Sequence, residues 1–462
     1  MHISRRTAIT GLGGVLGLGW MSSPRHKALA SETSALDSQV QFTRASAPSQ
    51  LKITDMRIAR LKGVPHSSTI IRIDTNEGLS GWGEVRDGAS PTYALMLKSR
   101  LLGQNPCDVD RLFRKLKQFG AHGRQGGGVS AVEMALWDLA GKAYGVPVYQ
   151  LLGGKFRDRI RLYADTRQVT PEFKKDRLSG TAMGRVLKER MDRGLTWLKF
   201  DLGIDLLRDH PGTLSQPFSR QEGPDPLTPH AFNGIEITPK GIDLLAGYLA
   251  DVREVTGMEI PLAIDHLGQI SPSSAIRLAK AFEPFALSWI EDPLPWNYPQ
   301  QLKELTLSST TPILTGEDIY LKEEFRTLVE GGIVDMIQPD IGTAGGLLET
   351  KKIGDLAEER GIPMVIHCAS TPIQFMASVH VAAATQNVLC LEHHALDIPW
   401  WESLGQGLPQ PLIQQGFVEV PTTPGLGVEL NEDVARQHLE TPGFFEPTPE
   451  WNVERAWDRT WS

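Results

Sequence analysis

Seven short apolar stretches in this chain close on an ionisable residue, and they recur at nearly even intervals. They are 196-TWLKFDL, 261-PLAIDH, 286-ALSWIED, 312-PILTGED, 333-IVDMIQPD, 363-PMVIHC and 388-VLCLEH, closing at Lys199, Asp265, Glu291, Glu317, Asp340, His367 and Glu392. The steps between those residues are 66, 26, 26, 23, 27 and 25. A step of about 25 residues is one strand plus one helix, and repeated strand–helix units build a parallel sheet. So many in succession favour a closed barrel over an open sheet. The long first step is one unit plus 204-IDLLRDHPGTLSQPFSRQEGPDPLTPHAFNGIEITPKG-241, a Pro- and Gly-rich stretch that reads as an elaborated loop. In such barrels the C-terminal strand ends form the site. A buried unpaired charge costs several kcal/mol, so seven ionisable groups on one rim are poorly explained by packing.

Ahead of this repeat the rhythm differs. The segment 69-TIIRIDT-75 alternates apolar and polar residues, 76-NEGLSG-81 is a turn, and 82-WGEV-85 resumes a strand. In 129-VSAVEMALWDLAGKAYG-145 the apolar residues Val132, Ala135, Leu136 and Leu139 share one helical face, with Gly145 and Pro147 as the stop. The predicted fold class is therefore α/β: a modified (β/α)8 TIM-like barrel with an N-terminal α+β capping domain. The predicted boundaries are an export signal at 1–30, a linker at 31–50, the cap at 51–165, the barrel at 166–395, and a C-terminal segment at 396–462 returning to the cap.

The start, 4-SRRTAIT-10 followed by the glycine-diluted apolar 11-GLGGVLGLGW-20 and 28-ALA-30, has the parts of a twin-arginine export signal. The expected location is periplasmic. Beyond it no apolar run reaches about twenty residues, so no membrane span is expected. A net charge of −8 and the lack of a basic stripe argue against nucleic acid as a partner. Cys107, Cys368 and Cys390 have neither CxxC spacing nor the number for a disulfide framework.

Asp265, Glu291 and Glu317 end successive strands, so their carboxylates would converge. Three hard oxygen ligands suit Mg²⁺ and tolerate Mn²⁺. The competing reading is helix capping, since 291-EDP-293 and 317-ED-318 also precede helices. Asp340 and His367 end neighbouring strands; a carboxylate beside an imidazole fixes its tautomer and makes a general base. A lone histidine is more often a satisfied core residue. Lys199 can pair with a substrate carboxylate or act as a base. Glu392 can donate to that carboxylate if crowding by negative charge keeps it protonated. Together these groups describe removal of a proton next to a carboxylate.

With these residues in place the chain resembles the enolase superfamily, within it the mandelate racemase-like group. The helix 130-SAVEMALWDLAGKAYGVPVYQLLGG-154 is similar to that group's capping signature, with Glu133 where aspartate is usual. The family's metal carboxylates fall on Asp265, Glu291 and Glu317, its dyad on Asp340 and His367, and its carboxylate-polarising acid on Glu392. The resemblance implies an essential Mg²⁺ and a homo-oligomer. It departs at 199-KFD-201, where Asp201 replaces the second lysine of the frequent K-x-K; Asp201 is then a weak base, an acid, a hydroxyl ligand or a structural partner of Lys199. Loss of one base favours elimination on one face, as in the acid-sugar dehydratases that this chain resembles most, the galactonate and mannonate dehydratases. The implied reaction is loss of water from an aldonate- or uronate-type sugar acid, giving a 2-keto-3-deoxy acid. An epimerase or cycloisomerase, and a non-catalytic carbohydrate-binding protein, are the alternatives. Those dehydratases place an acid histidine two residues after the first metal aspartate; here His266 follows Asp265 directly, which leaves the leaving-group acid unassigned. Specificity is expected from cap loops 63-GVPHSST-69 and 120-GAHGRQGGG-128, the latter read as a mobile lid. Trp400 and Trp401 are expected either to stack on a sugar or to pack, and the tail tryptophans 451, 457 and 461 to pack on the cap or another subunit.

Overall fold

The computed structural model describes residues 48, 50–120, 125–166, 179–207, 210–215, 235–265 and 270–453. The expected export signal, nearly all of the linker, and His122, Arg124, His266, Trp457 and Trp461 lie outside them. Among the described residues no helix is long and apolar enough to cross a membrane. All three cysteines are free thiols.

The cap is an antiparallel meander of β1 (Ile53–Leu61), β2 (Ser68–Thr75) and β3 (Ser80–Val85). Alternation along β2 sends Ile71 and Ile73 into one core and Ile70 into another. The first core is completed by Val132, Ala135, Leu136 and Leu139 of the helix Gly126–Tyr144. That helix is buried on nearly every side. It ends where the sequence indicates: Gly145 takes φ 71, a left-handed conformation open to glycine, and its N–H bonds back to the carbonyls of Gly141 and Lys142. Glu133 accepts from the backbone N–H groups of Leu347 and Leu348 at 2.7 and 3.1 Å, closing the start of the barrel helix Leu347–Glu358.

Eight parallel strands form the barrel: β4 (Arg159–Thr166), β5 (Leu198–Asp201), β6 (Leu262–Asp265), β7 (Ile290–Glu291), β8 (Ile313–Thr315), β9 (Met336–Ile337), β10 (Met364–Ile366) and β11 (Val388–His393). Pairing of β11 with β4 closes it. The boundary expected at 165/166 thus falls inside the first barrel strand. The sequence 159-RIRLYADT-166 alternates where the other strands run apolar. Its arginines share the inward face of Tyr163 at the N-terminal end of the strand, Arg159 over Phe417 and Arg161 over Trp197, and β12 (Phe417–Glu419) runs antiparallel along it. The C-terminal segment returns to the cap, where β13 (Leu439–Phe444) pairs with β1.

Inside the barrel lies a layer of Tyr163, Trp197, Ala263, Trp289, Leu314, Val365 and Cys390, with Met336 beside it. Each barrel strand supplies one member. Strand side chains repeat every second residue on one face, so two residues further on the chain presents the next inward group. At six strands that group is ionisable: Asp165, Lys199, Asp265, Glu291, His367 and Glu392. At β8 and β9 it is Gly316 and Gln338, and the acids Glu317 and Asp340 follow in the loops.

Candidate active site

The rim groups meet in two connected clusters. In the first, Lys199, 1% exposed, places Nζ 3.0 Å from Asp265 Oδ2, 3.0 Å from Glu291 Oε1 and 2.8 Å from Glu392 Oε1. This answers why a buried strand carries a lysine: three buried carboxylates surround it. They hold its pKa well above the ordinary lysine value, against burial, which acts in the opposite sense. Trp289, in the barrel layer below, donates its indole N–H to Glu291 Oε2 at 3.0 Å.

The second cluster is the dyad. Asp340 Oδ2 lies 2.5 Å from His367 Nδ1. Its other oxygen accepts from the Gly342 N–H at 2.5 Å and the Gln374 side chain at 2.9 Å. Asp340 therefore does cap a short helix, Ile341–Ala344, while it orients the imidazole. Glu291 and Glu317 cap nothing: the helices that follow, Pro299–Ser308 and Lys322–Glu330, have no side-chain cap. His367 Nε2 faces Glu317 Oε2 at 3.1 Å and Glu392 Oε2 at 3.7 Å. Burial pushes His367 down, but the charges of Glu317 and Glu392 and the bond to Asp340 prevail and raise it to about 9.

Glu392 is not in the crowd of negative charge that would keep it protonated. Its neighbours are Lys199, His394 and His367, and against burial they hold it well below the usual carboxylate range. It is an ionised acceptor.

The three expected metal ligands share this rim without being drawn to one point. Lys199 lies between Asp265 and Glu291, and Glu317 turns to His367 and to Arg86, whose Nη2 is 3.3 Å away. Among the described residues, the group with ligand atoms all within 4.8 Å of one another is His367, Glu392 and His394. The chemistry of the acidic trio nevertheless fits a divalent cation. Glu291 is raised well above the ordinary range by burial and by the Asp265 charge. Asp292 beside it is raised to about 8 by burial, Glu317 and Asp265. This end of the barrel carries more negative charge than its resident cations offset, on hard oxygen donors.

Three site residues lay outside the sequence reading. Arg86, at the end of β3, reaches from the cap to Asp340 Oδ2 at 2.6 Å and to His367 Nδ1 at 3.0 Å. His394 and Asp165 sit beside Glu392, with His394 Nε2 3.2 Å from Glu392 Oε1 and Nδ1 3.5 Å from Asp165 Oδ2. A further acid, Glu84 in 82-WGEV-85, accepts from the N–H groups of Thr371 and Gln374 at 3.0 and 3.3 Å and ties the cap to the segment after His367.

One expectation is corrected and one alternative is settled. The glycines at 126–128 are not a lid; they open the helix Gly126–Tyr144 and are buried. A Cβ on Gly127 would lie 2.6 Å from Arg86 Cβ, so the missing side chain lets the site arginine pass. The paired tryptophans pack rather than stack on a ligand: Trp401 is buried and donates to the Ser370 carbonyl at 2.8 Å, and Trp400 stacks on His438 at 3.5 Å. Trp451 packs against the cap core. His66, in the other cap loop, does lie over the mouth, its ring 6.3 Å from that of His394.

A closed parallel barrel whose rim joins a lysine–carboxylate cluster to an Asp–His dyad, under an α+β cap, defines an enzyme of the enolase type. The chain belongs to the mandelate racemase/muconate lactonizing enzyme family: the model of that family's N-terminal domain matches residues 40–153, and the enolase C-terminal domain-like model matches residues 182–434. It is 36% identical over 394 residues to a D-xylonate dehydratase of Haloferax volcanii, covering 84% of this chain and 89% of that protein. It is 31% identical over 412 residues to a D-galactonate dehydratase of Verminephrobacter eiseniae, covering 86% and 97%. The crystal structure of a mandelate racemase/muconate lactonizing enzyme-like protein from Rubrobacter xylanophilus superposes with a TM-score of 0.75 at 35% identity, covering 86% of this chain and all of the other.

Proposed function

We propose that this protein is a hydro-lyase that dehydrates a sugar acid of the aldonate or uronate type to a 2-keto-3-deoxy acid. The observation that carries the reading is the Asp340–His367 pair facing the Lys199 cluster across one buried rim. The identity to two sugar-acid dehydratases over most of both chains supports it.

Lys199 offers an ammonium to the substrate carboxylate. Asp340, itself held by the Arg86 guanidinium, accepts from His367 Nδ1–H and leaves Nε2 directed into the site, the nitrogen that takes the α-proton. An imidazole raised to about 9 is a strong base once free of its proton, as a weak carbon acid requires. Asp265, Glu291 and Glu317 would hold Mg²⁺, or Mn²⁺ in its place, which when bound supplies positive charge to the carboxylate oxygens as the proton leaves. Burial of these groups excludes water and strengthens each interaction.

Incubation with a panel of aldonates and uronates, D-xylonate and D-galactonate among them, with Mg²⁺ in D₂O tests the reading. A 2-keto-3-deoxy product is expected. Solvent deuterium at Cα in an epimerised or cyclised product would replace this reading with isomerisation, and binding without any turnover would replace it with a carbohydrate-binding role. We infer export through the twin-arginine motif at Arg5–Arg6 from the sequence; fractionation that finds only uncleaved chain in the cytosol would remove that part.

A further inference from the structure

The dyad supplies the base of a dehydration, but a departing hydroxide also needs a proton. The barrel holds a second Asp–His pair. His394 follows Glu392 by two residues, so at the end of β11 the two side chains share a face, while His393 between them turns outward against Phe375 and Trp401. Nδ1 of His394 is 3.5 Å from Asp165 Oδ2, on the neighbouring strand β4. The placement parallels that of His367 Nδ1 and Asp340 on β10 and the loop after β9, but at 3.5 Å rather than 2.5 Å and without a formed hydrogen bond. The two imidazoles meet edge to face, with ring centres 5.6 Å apart. Glu392 lies between them, Oε2 3.7 Å from Nε2 of His367 and Oε1 3.2 Å from Nε2 of His394. At 10% side-chain exposure, His394 sits between the buried dyad and the exposed His66 of the cap.

On the dehydratase reading above, we propose that His394 is the acid that protonates the leaving hydroxyl, with Asp165 as its positioning residue and Glu392 as the proton bridge back from His367. The Cα–H bond breaks and its proton goes to Nε2 of His367. The Cβ–O bond breaks, and the hydroxyl leaves as water with the Nε2 proton of His394. The enol that remains becomes the 2-keto-3-deoxy acid by losing its O–H proton and gaining one at C3, with no net change. One proton is then in excess on His367 and one missing on His394. The carboxylate of Glu392 lies between the two nitrogens, 3.7 Å from Nε2 of His367 and 3.2 Å from Nε2 of His394, and carries it across once the side chains close to hydrogen-bond distance, restoring the starting state. The same three groups are spaced for a metal ion, but the Lys199 ammonium already occupies Glu392 Oε1 at 2.8 Å.

The test uses the full chain with Mg²⁺ and whichever sugar acid the wild type dehydrates, together with its 3-deoxy-3-fluoro analogue, whose fluoride leaves without needing protonation. His394→Asn is expected to lose dehydration by about 100-fold or more, to keep exchange of the Cα proton with D₂O, and to eliminate fluoride within a few-fold of wild type. Asp165→Asn is expected to show the same pattern more weakly. His367→Asn should lose all three reactions, which separates base from acid. Dehydration undiminished in His394→Asn, or exchange and fluoride loss falling together with it, overturns the assignment. A wild type that dehydrates no sugar acid overturns the functional reading first and this assignment with it.

Discussion

Arg86 of the cap and Asp340 of the barrel are joined at 2.6 Å, although 254 residues separate them in the chain. The same guanidinium nitrogen lies 3.0 Å from His367 Nδ1, and Asp340 is fully buried. The proposed base and its carboxylate thus share a contact from the other domain, and on that reading the docked cap helps hold the base in position. Arg86 also opposes the carboxylates around His367, acting to lower its pKa where Glu317 raises it.

Removing the guanidinium should therefore be felt twice. Arg86→Met leaves Asp340 without its cation in a buried setting, where breaking one side of a pair costs about 3–5 kcal/mol. Its urea midpoint should drop accordingly, and turnover should fall at least about tenfold as His367 loses its fixed orientation. Arg86→Lys keeps the charge but not the forked geometry and should lie between. Steady-state rates of folded Arg86→Met equal to wild type would show that the contact is structural only.

On the proposed mechanism His367 carries the proton transfer. His367→Asn keeps a hydrogen-bonding group near Asp340 but has no basic nitrogen. Turnover should fall by roughly 10²- to 10⁴-fold, and deuterium from D₂O should no longer enter Cα of recovered substrate. The fold should survive, because the cap remains tied down by Glu84 on Thr371 and Gln374. Retained turnover would move the base elsewhere.

The divalent ion is testable without assaying turnover alone. Dialysis against a chelator should abolish turnover, and Mg²⁺ or Mn²⁺ should restore it. Ion binding to the folded state alone should also raise stability, by about 2.7 kcal/mol at a hundredfold excess over Kd. Glu291→Gln, which removes one buried charge from the acidic trio, should weaken the Mg²⁺ dependence of the melting temperature. A midpoint indifferent to Mg²⁺ in the wild type would exclude the site.

What could be read beforehand depended on whether a residue carried a local signal. Lys199, Asp265, Glu291, Glu317, Asp340, His367 and Glu392 were legible because each closes an apolar strand and strand–helix units have a nearly fixed length. The first strand was missed because 159-RIRLYADT-166 alternates, its arginines being covered by Phe417 and Trp197 from elsewhere in the chain. With β4 went Asp165. His394 had a signal in 392-EHH-394, since the second histidine must share the face of Glu392. Arg86 had none, because its partners lie in another domain. The glycines at 126–128 looked like a lid for want of the packing partners that require them small: Tyr320 at Gly126, Arg86 at Gly127 and the Tyr93 backbone at Gly128.

Acid stability should report on a histidine far from the chemistry. His380 is buried within the helix Pro372–Ala384, its Nδ1 accepting the Tyr149 N–H at 3.2 Å. Burial lowers its pKa to about 4 from an ordinary 6.5. The unfolded chain then binds the extra proton between those values, so this contribution is complete above pH 6.5 and is lost as pH falls toward 4; it amounts to roughly 3 kcal/mol. His393, lowered to about 3 mainly by burial, acts in the same sense. Glu84 and Glu133, raised by burial to about 7 and about 8, act in the opposite sense, losing stability as pH rises from 4.5. The wild-type profile mixes these terms, so the comparison with His380→Gln isolates one of them. Urea denaturation at pH 4.5 and 7 should give a smaller difference for the variant, by a sizeable part of that amount. Equal differences for the two proteins would mean that His380 does not titrate on unfolding.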